Sequence, residues 1–406
     1  MEKTKTHSLQ ILLHGEAIGA LNFFSGEQTF FVFHENYIEN SKRPVLSLSF
    51  KNKLGHLITS IKPSRIQIPP FFSNLLPEGH LRDYLAKRAG VHPKRECFLL
   101  QALGHDLSGA VTVNMMDASE LHSIEHASQL ADATETLRFS LAGVQIKFSA
   151  VMETQGGLTI PAEGVGGQWI VKLPSARFDK VPENEFSMMT LAKKMGMDIP
   201  EISLVPLSKI SGLPKDVGKM KGVALVVKRF DRSESGPIHM EDFAQIFGLY
   251  PDDKYGKASY KNIAEVLCQE TGKDGIVEFT RRLVFNTLIG NADMHLKNWS
   301  VIYPNRRQAQ LSPGYDFVST ISYLPDDSMG LNFVKSKKMT DLSLEQLSYL
   351  SATAGLPEKL VLKTAKETIQ RFREIWKKER KHLLLSASSI QAIEKNVAKI
   401  PLAKEI

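Results

Sequence analysis

Gly290-Asn291-Ala292-Asp293-Met294-His295-Leu296-Lys297-Asn298 is the stretch on which the reading of this chain turns. An apolar run, Leu283 to Ile289, leads straight into it and reads as a helix. A helix C-terminal loop with asparagine as its cap is the plain account of such a junction. Yet an acid, a histidine, a lysine and an amide packed just past an apolar helix end are unusual in an ordinary loop. The stretch is therefore a candidate for chemistry.

Phosphoryl transfer needs an acid near the acceptor hydroxyl and an oxygen ligand for Mg²⁺ held beside it. Protein kinases carry these as an Asp and an Asn five residues apart, and Asp293 and Asn298 have that spacing. Further on, after a strand-like Trp299 to Tyr303 and a turn at Pro304-Asn305, comes Tyr315-Asp316-Phe317. An Asp followed by Phe resembles the metal-binding acid of kinases, with Val318 where the usual Gly stands. Asp316 with Asp293 and Asn298 makes a plausible magnesium cage. Lys172 interrupts the apolar run Trp169-Ile170-Val171-Lys172-Leu173. An ammonium there is costly unless anions meet it. Nucleotide phosphates and a helix glutamate would do so, with Glu185 the first candidate and Glu183 the second. An edge strand with Lys172 in solvent fits the same pattern. At Ala224 to Val227 a buried strand ends in Lys228-Arg229-Phe230-Asp231-Arg232. That suits a hinge whose backbone receives adenine and whose Phe230 packs on it, though it reads equally as a strand end.

The remainder of the chain frames these residues. Its 406 residues exceed what one core usually serves, and 42% hydrophobic with 23% charged residues is ordinary globular composition. No run approaches the roughly 18 apolar residues of a membrane helix, and the N-terminus lacks a signal peptide's features. Cys97 and Cys268 read as two buried thiols in a reducing compartment, so a cytoplasmic location without a membrane partner is expected. A net charge of +7 permits an acidic partner such as nucleic acid without demonstrating one. Residues 9–33 alternate like strands, with Gly15, Gly19 and Gly26 as turn punctuation. A helix is expected from Leu81 to Arg88, ending at Gly90, and a strand at Gly109 to Val113. The polar stretch 116–135 is the candidate boundary. From 139 to 230 the pattern is strand-rich with one helix near 184–195, and Gly164 to Gly167 reads as a hairpin turn. Helices are expected at 242–248, 259–270, 275–290, 342–353, 357–383 and 387–399. The expected fold is α+β and two-lobed: an N-terminal α+β subdomain (1–115), a linker (116–135), a β-rich nucleotide-binding lobe (136–232) and a helical catalytic lobe (233–406).

One further motif carries a resemblance. Phe139-Ser140-Leu141-Ala142-Gly143-Val144-Gln145-Ile146-Lys147 is similar to the Ser-x-Ala-Gly-x-Gln-x-Lys loop of HipA-type serine/threonine kinases. Ile170 to Pro174, Arg229 to Arg232, Glu241 to Leu249, the Asp-x-His-x-Lys-Asn motif and Tyr315 to Phe317 follow in that family's order. Phe72-Ser73-Asn74-Leu75-Leu76-Pro77 and Ser108 to Thr112 extend the likeness through the N-terminal unit.

The resemblance implies a protein-kinase-like fold and a toxin of a toxin–antitoxin module that uses ATP and Mg²⁺. Asp293 would be the catalytic acid/base, and Asn298 and Asp316 would ligate the metal. Ala142, Gly143, Val144, Gln145, Ile146 and Lys147 would close over the phosphates that Lys172 holds. The backbone of Lys228, Arg229 and Phe230 would receive adenine, with His295, Leu296, Lys297, Tyr315, Phe317 and Val318 beside the nucleotide. Ser140 would be the autophosphorylated serine. Lys335, Ser336, Lys337 and Lys338 would touch DNA, though three lysines in four residues also make a plain solvated loop. The implied partners are a HipB-like antitoxin, operator DNA through that complex, and a protein substrate such as an aminoacyl-tRNA synthetase. Lys228 stands where the best-known members have Glu, and Ile146 replaces a more usual polar residue. A small-molecule or lipid phosphotransferase, or a silent DNA-binding corepressor, are the other readings the residues allow.

Overall fold

Thr6–Leu13 (β1), Glu16–Phe24 (β2) and Gln28–Phe33 (β3) form an antiparallel meander. Alternation places Leu9, Ile11, Leu21, Phe31 and Phe33 on one buried face. His14 and Gly15, both at positive φ (54° and 80°), turn β1 into β2 as a two-residue hairpin requires. Gly19 is not the turn its identity suggested. It lies inside β2, where a Cβ would stand 2.4 Å from the Val32 carbonyl oxygen and 2.7 Å from the Phe31 ring. Glycine there lets that ring lie across the strand. The computed structural model describes residues 6–24, 28–65, 67–115, 147–152, 158–159, 167–175, 177–213, 221–324 and 328–406. The expected linker at 116–135, Gly26, Gly164 to Gly166, Ser140 and residues 142–146 of the glycine-containing loop lie outside these.

Ser64–Arg65 (β4) and Val111–Met115 (β5) complete the first sheet in the order β4-β3-β2-β1-β5. Four helices accompany it: Glu35–Glu39 (α1), Pro70–Ser73 (α2), Gly79–Arg88 (α3) and Glu96–Leu103 (α4). Leu81, Leu85, Leu99 and Leu100 fill its core.

The second sheet runs β10-β7-β6-β8-β11-β9. Its strands are Lys147–Met152 (β6), Leu158–Thr159 (β7), Trp169–Lys172 (β8), Ile202–Pro206 (β9), Ile210–Ser211 (β10) and Val223–Lys228 (β11). β11 is apolar up to Val227 because both its faces are covered. Ala224 and Val226 share a core with the first sheet, whereas Leu225 and Val227 belong to the core of the helical part. β8 lies between β6 and β11, so Lys172 stands on a central strand and the solvated-edge account is excluded.

Beyond β11 come a short pair, Arg232–Ser233 (β12) with Gly236–Pro237 (β13), and a small sheet of His239–Asp242 (β14), Ser300–Tyr303 (β15) and Gln310–Leu311 (β16). The helices Val181–Lys194 (α5), Phe243–Ile246 (α6), Tyr260–Ile289 (α7), Leu344–Ala354 (α8), Glu358–Glu379 (α9), Ala387–Val397 (α10) and Pro401–Lys404 (α11) build the rest. α7 is two helices meeting at Gly272 (φ 66°, ψ −150°), as the separate patterns at 259–270 and 275–290 suggested. Cys97 is buried, but Cys268 is only half-buried. No helix among the described residues is long and apolar enough to cross a membrane.

Two buried polar seams join the first sheet's subdomain to the rest of the chain. At the end of β11, Arg229 donates to both carboxylate oxygens of Asp231 (2.9 and 2.8 Å), to Asp106 (2.8 Å) and to the Leu107 carbonyl (3.1 Å). Arg232 reaches the same Asp106 and Leu107, and Asp231 accepts the Gly109 N–H at 2.9 Å. Burial opposes ionisation of Asp231, but Arg229 and Arg232 prevail and hold it near 2. In the second seam, Glu241 on β14 accepts from the Ser47 hydroxyl (2.5 Å), the Leu48 N–H (2.9 Å) and the Tyr303 hydroxyl (2.5 Å).

Candidate active site

The loop 290–298 is shaped by how α7 stops. Gly290 adopts φ +69°, and the Gly290 N–H and Asn291 N–H fold back on the last turn of the helix. A Cβ at 290 would also lie 2.6 Å from Ile321. The Gly290 carbonyl accepts from the N–H groups of Thr320 (3.2 Å) and Ile321 (3.1 Å), so the loop is tied to the segment that carries Asp316. Asn291 makes the closest connection. Its side chain donates to the Asn286 amide oxygen (2.8 Å) and the Asp316 carbonyl (3.3 Å), and its own oxygen accepts the Asp293 N–H (3.1 Å).

Asp293 is exposed, and its carboxylate Oδ1 accepts a 2.5 Å hydrogen bond from the Tyr255 hydroxyl. Asn298 is buried and donates its amide hydrogen to the Asp293 carbonyl at 2.8 Å. With its nitrogen committed, the amide oxygen is the atom Asn298 can offer a cation. The backbone spans between them through His295 N–H to the Asp293 carbonyl, 2.9 Å. His295 is buried, its Nδ1 without a hydrogen-bond partner among the described residues, and burial lowers its pKa to about 4. The ring is therefore neutral at physiological pH and packs edge-on against Tyr255 at 4.9 Å.

Lys172, 4% exposed, contacts the carboxylates of both Glu185 and Asp316. Burial alone would lower the ammonium's pKa, but Asp316 and Glu185 outweigh it and hold the group charged. Glu185 comes from α5, and the residue before it, Asn184, exchanges two 3.0 Å hydrogen bonds with the backbone of Ser319. One helix turn thus grips Lys172 and the Asp316 segment together. Glu183 does not take this part; its carbonyl accepts from Ser187. Asp316 itself has φ +56°, a left-handed backbone that aspartate tolerates better than most residues.

The remaining candidates divide by the direction of their side chains. The Phe230 and Tyr315 rings lie 5.7 Å apart, bringing the hinge to the Asp316 segment. The Tyr315 hydroxyl donates to the Lys297 carbonyl (3.0 Å). The N–H groups of Lys228 and Arg229 are taken by the carbonyls of Glu201 and Gln168 at 2.8 Å each, while Phe230 N–H donates to no group among the described residues. Arg229 points into the seam, and the Lys228 ammonium is exposed above the Trp169 ring. Leu296 and Phe317 are fully buried in the apolar core, so a nucleotide could meet only their backbone. Val318 is half-buried.

The Lys297 side chain is buried in a polar cluster, so a nucleotide could meet only its backbone. Its ammonium donates to the Asn74 carbonyl (2.9 Å) and side-chain oxygen (3.0 Å) and lies 3.4 Å from Glu78 and 3.3 Å from Asp242. Burial raises Glu78, but Lys297 and Lys254, the latter at 2.6 Å, hold its carboxyl below the ordinary value. Asn74 and Glu78 belong to the first subdomain, so the loop is braced from behind by residues more than two hundred positions away. Of the basic loop, Lys335 lies over the Tyr349 ring, Lys337 donates to the Tyr255 carbonyl (3.2 Å), Ser336 bonds to Asp341, and Lys338 is exposed. Lys147 pairs with Lys172 across β6 and β8 in strand register.

The donor set fits a hard cation. Asp316 and Asn298 offer oxygen, and no group of three His, Cys, Asp or Glu that could hold a metal occurs among the described residues. A cation here would need oxygens from outside the protein, which is how Mg²⁺ usually binds with phosphates. Tyr255, Asn291, Asn184 and Glu78 are site residues the motifs did not announce; only the Asn directly before Ala292-Asp293 lay within a quoted motif.

Comparison with known proteins agrees with this geometry. Residues 139–376 match the HipA-like C-terminal domain, and residues 9–114 match the HipA N-terminal domain. Y4dM of Sinorhizobium fredii, a protein named as a kinase, is 52% identical over 404 residues, 99% of either chain. The serine/threonine-protein kinase toxin HipA of Shewanella oneidensis is 27% identical, with 89% of this chain and 87% of that one covered. The solved structure of a Shewanella oneidensis MR-1 HipA, HipB and operator DNA complex superposes with a TM-score of 0.70 at 22% identity, over 98% of this chain and 96% of that one. The shared fold is the two-lobed α+β arrangement expected from the sequence.

Proposed function

This chain belongs to the HipA family of kinase-like proteins, and from that premise we propose that it transfers the γ-phosphoryl group of ATP to a serine or threonine hydroxyl of a protein. The observation that carries the reading is the convergence of Lys172, Glu185 and Asp316 beside the Asp293–Asn298 loop, joined through Asn291.

On this reading Asp293 accepts the proton of the acceptor hydroxyl as its oxygen bonds to phosphorus and the bond to the ADP oxygen breaks. Lys172 neutralises phosphate oxygens, its charge secured by Glu185. Asn298 and Asp316 would hold Mg²⁺, whose chemistry is to offset charge on the phosphates. Phe230 N–H, free of protein partners among the described residues, is the hinge donor for adenine, and Tyr315 and Phe230 offer it rings. Residues 142–147 would cover the phosphates, and Ser140 would be autophosphorylated. The units 1–115, 136–232 and 233–406, with 116–135 between, are the division proposed for the chain. A HipB-like antitoxin, with operator DNA through it, is supported by the likeness to the Shewanella oneidensis toxin and its complex; an aminoacyl-tRNA synthetase target in the cytoplasm completes the proposal.

The test is incubation with labelled Mg²⁺-ATP and cytosolic extract, with mass spectrometry of the labelled bands. Label is expected on a protein and on Ser140. It should fall at least about 100-fold in Asp293→Ala and in Asp316→Ala, each melting near wild type, because one preorganised electrostatic group contributes that much. Full transfer by either variant, or label confined to metabolites, would sink the proposal.

A further inference from the structure

Tyr255 is the part of this site that the phosphoryl-transfer chemistry leaves unused. It stands between α6 and α7, 40% exposed, and its hydroxyl donates to Asp293 Oδ1 at 2.5 Å. The backbone of Asp293 is fixed without that bond. Its N–H is held by Asn291 (3.1 Å), and its carbonyl by Asn298 (2.8 Å) and His295 (2.9 Å). A side chain that serves to lock a catalytic group is itself locked by packing. Tyr255 meets the buried His295 ring edge-on at 4.9 Å and has the Lys254 ammonium 5.6 Å over its face, yet much of it faces solvent.

An acceptor hydroxyl must donate to this same carboxylate before it can attack phosphorus. A phenol and an alcohol are equivalent in that role, each with one O–H to give. Burial and the Asp293 charge push the Tyr255 hydroxyl well above the ordinary tyrosine value, so it remains a donor wherever the enzyme works. Its backbone is anchored by the Lys337 ammonium on its carbonyl (3.2 Å), which leaves the side chain as the part able to move.

Resting on the kinase reading, we infer that Tyr255 is a stand-in for the acceptor, seated on Asp293 until a protein serine or threonine displaces it. Displacement breaks a hydrogen bond to a charged group, a handicap of about tenfold or more on every acceptor. Water is handicapped in the same way, so the seated tyrosine also suppresses wasteful ATP hydrolysis.

Tyr255→Phe removes the hydroxyl and keeps the ring on His295. Mg²⁺-ATP affinity by calorimetry, ATP hydrolysis in water, and transfer to dephosphorylated casein as a probe acceptor are measured on both proteins. Unchanged ATP binding, about tenfold faster hydrolysis and a lower KM for casein are expected. A fall in kcat with ATP binding intact would make Tyr255 a positioning residue and overturn the inference. Phosphate found on Tyr255 would make it an acceptor, with the same consequence. If neither protein binds ATP, the kinase reading itself fails and the inference goes with it. Should the Phe variant melt early, Tyr255→Leu decides by the same measurements.

Discussion

Replacing Glu241 by Gln should stabilise the protein at alkaline pH and do little at acid pH. Glu241 is buried at the seam between the first subdomain and β14, with Ser47, Leu48 and Tyr303 as donors and no cation beside it among the described residues. Burial drives its pKa from 4.5 up to about 7; the three hydrogen bonds only moderate the rise, and Asp242 adds repulsion. Between those two values the folded protein keeps a proton that the unfolded chain has lost, so stability declines as pH climbs through the window. Above pH 7 the full cost applies. At 1.36 kcal/mol per pKa unit it is about 3 kcal/mol. Glutamine escapes it and still satisfies its neighbours: its oxygen can keep the Leu48 and Tyr303 bonds, and its NH₂ can donate to the Ser47 oxygen, as the protonated acid does. The assay is thermal unfolding of both proteins from pH 5 to 8. Gln should melt a few degrees higher at pH 8, and the gap should close towards pH 5. Parallel curves at a constant offset would refute the reasoning.

Gly290→Ala should cost at least about 2 kcal/mol, combining the left-handed backbone with the 2.6 Å clash on Ile321, and should lower kinase activity further because the loop to Asp293 shifts; a melt near wild type would contradict this. In an antitoxin–kinase complex, replacing Lys335, Lys337 and Lys338 by Ala should flatten the salt dependence of operator binding by about 2 log units per log unit, since each phosphate contact contributes roughly 0.9 and Lys337 is already held by the Tyr255 carbonyl. An unchanged slope would remove the loop from the DNA interface.

The meeting of Lys172, Glu185 and Asp316 beside the 293–298 loop was legible because phosphoryl transfer, the chemistry proposed, demands particular residue types at particular intervals. Asp293 and Asn298 share one loop, and Lys172 stands out as a charge in an apolar strand. Its partner Glu185 could be guessed because a helix comes after that strand. Neighbourhood in sequence was a poor guide to what each side chain touches. Leu296 and Phe317 flank functional groups, yet they turn into the core, since adjacent residues in a loop or strand point different ways. The side chains of Arg229 and Lys297 are claimed by distant acids, Asp106 for the first and Glu78 and Asp242 for the second, which leaves their backbone to face a nucleotide. Tyr255, Asn291 and Asn184 act through contacts that only tertiary folding creates. Gly19 looked like a turn because a turn and a ring lying across a strand both ask for a missing Cβ.

The Arg229 seam bears on whether this molecule can be cut. A polar stretch such as 116–135 invites an expression boundary, with the kinase lobes produced alone. Severing there would take Asp106, the Leu107 carbonyl and the Gly109 N–H away from Arg229, Asp231 and Arg232. Breaking a buried ion pair by removing one partner costs roughly 3–5 kcal/mol, comparable with the whole stability of many domains. The Lys297 ammonium would also lose Asn74 and Glu78, behind the very loop that carries Asp293. A fragment beginning after 135 should therefore be insoluble or inactive, and the first subdomain should restore it when co-expressed as a separate chain.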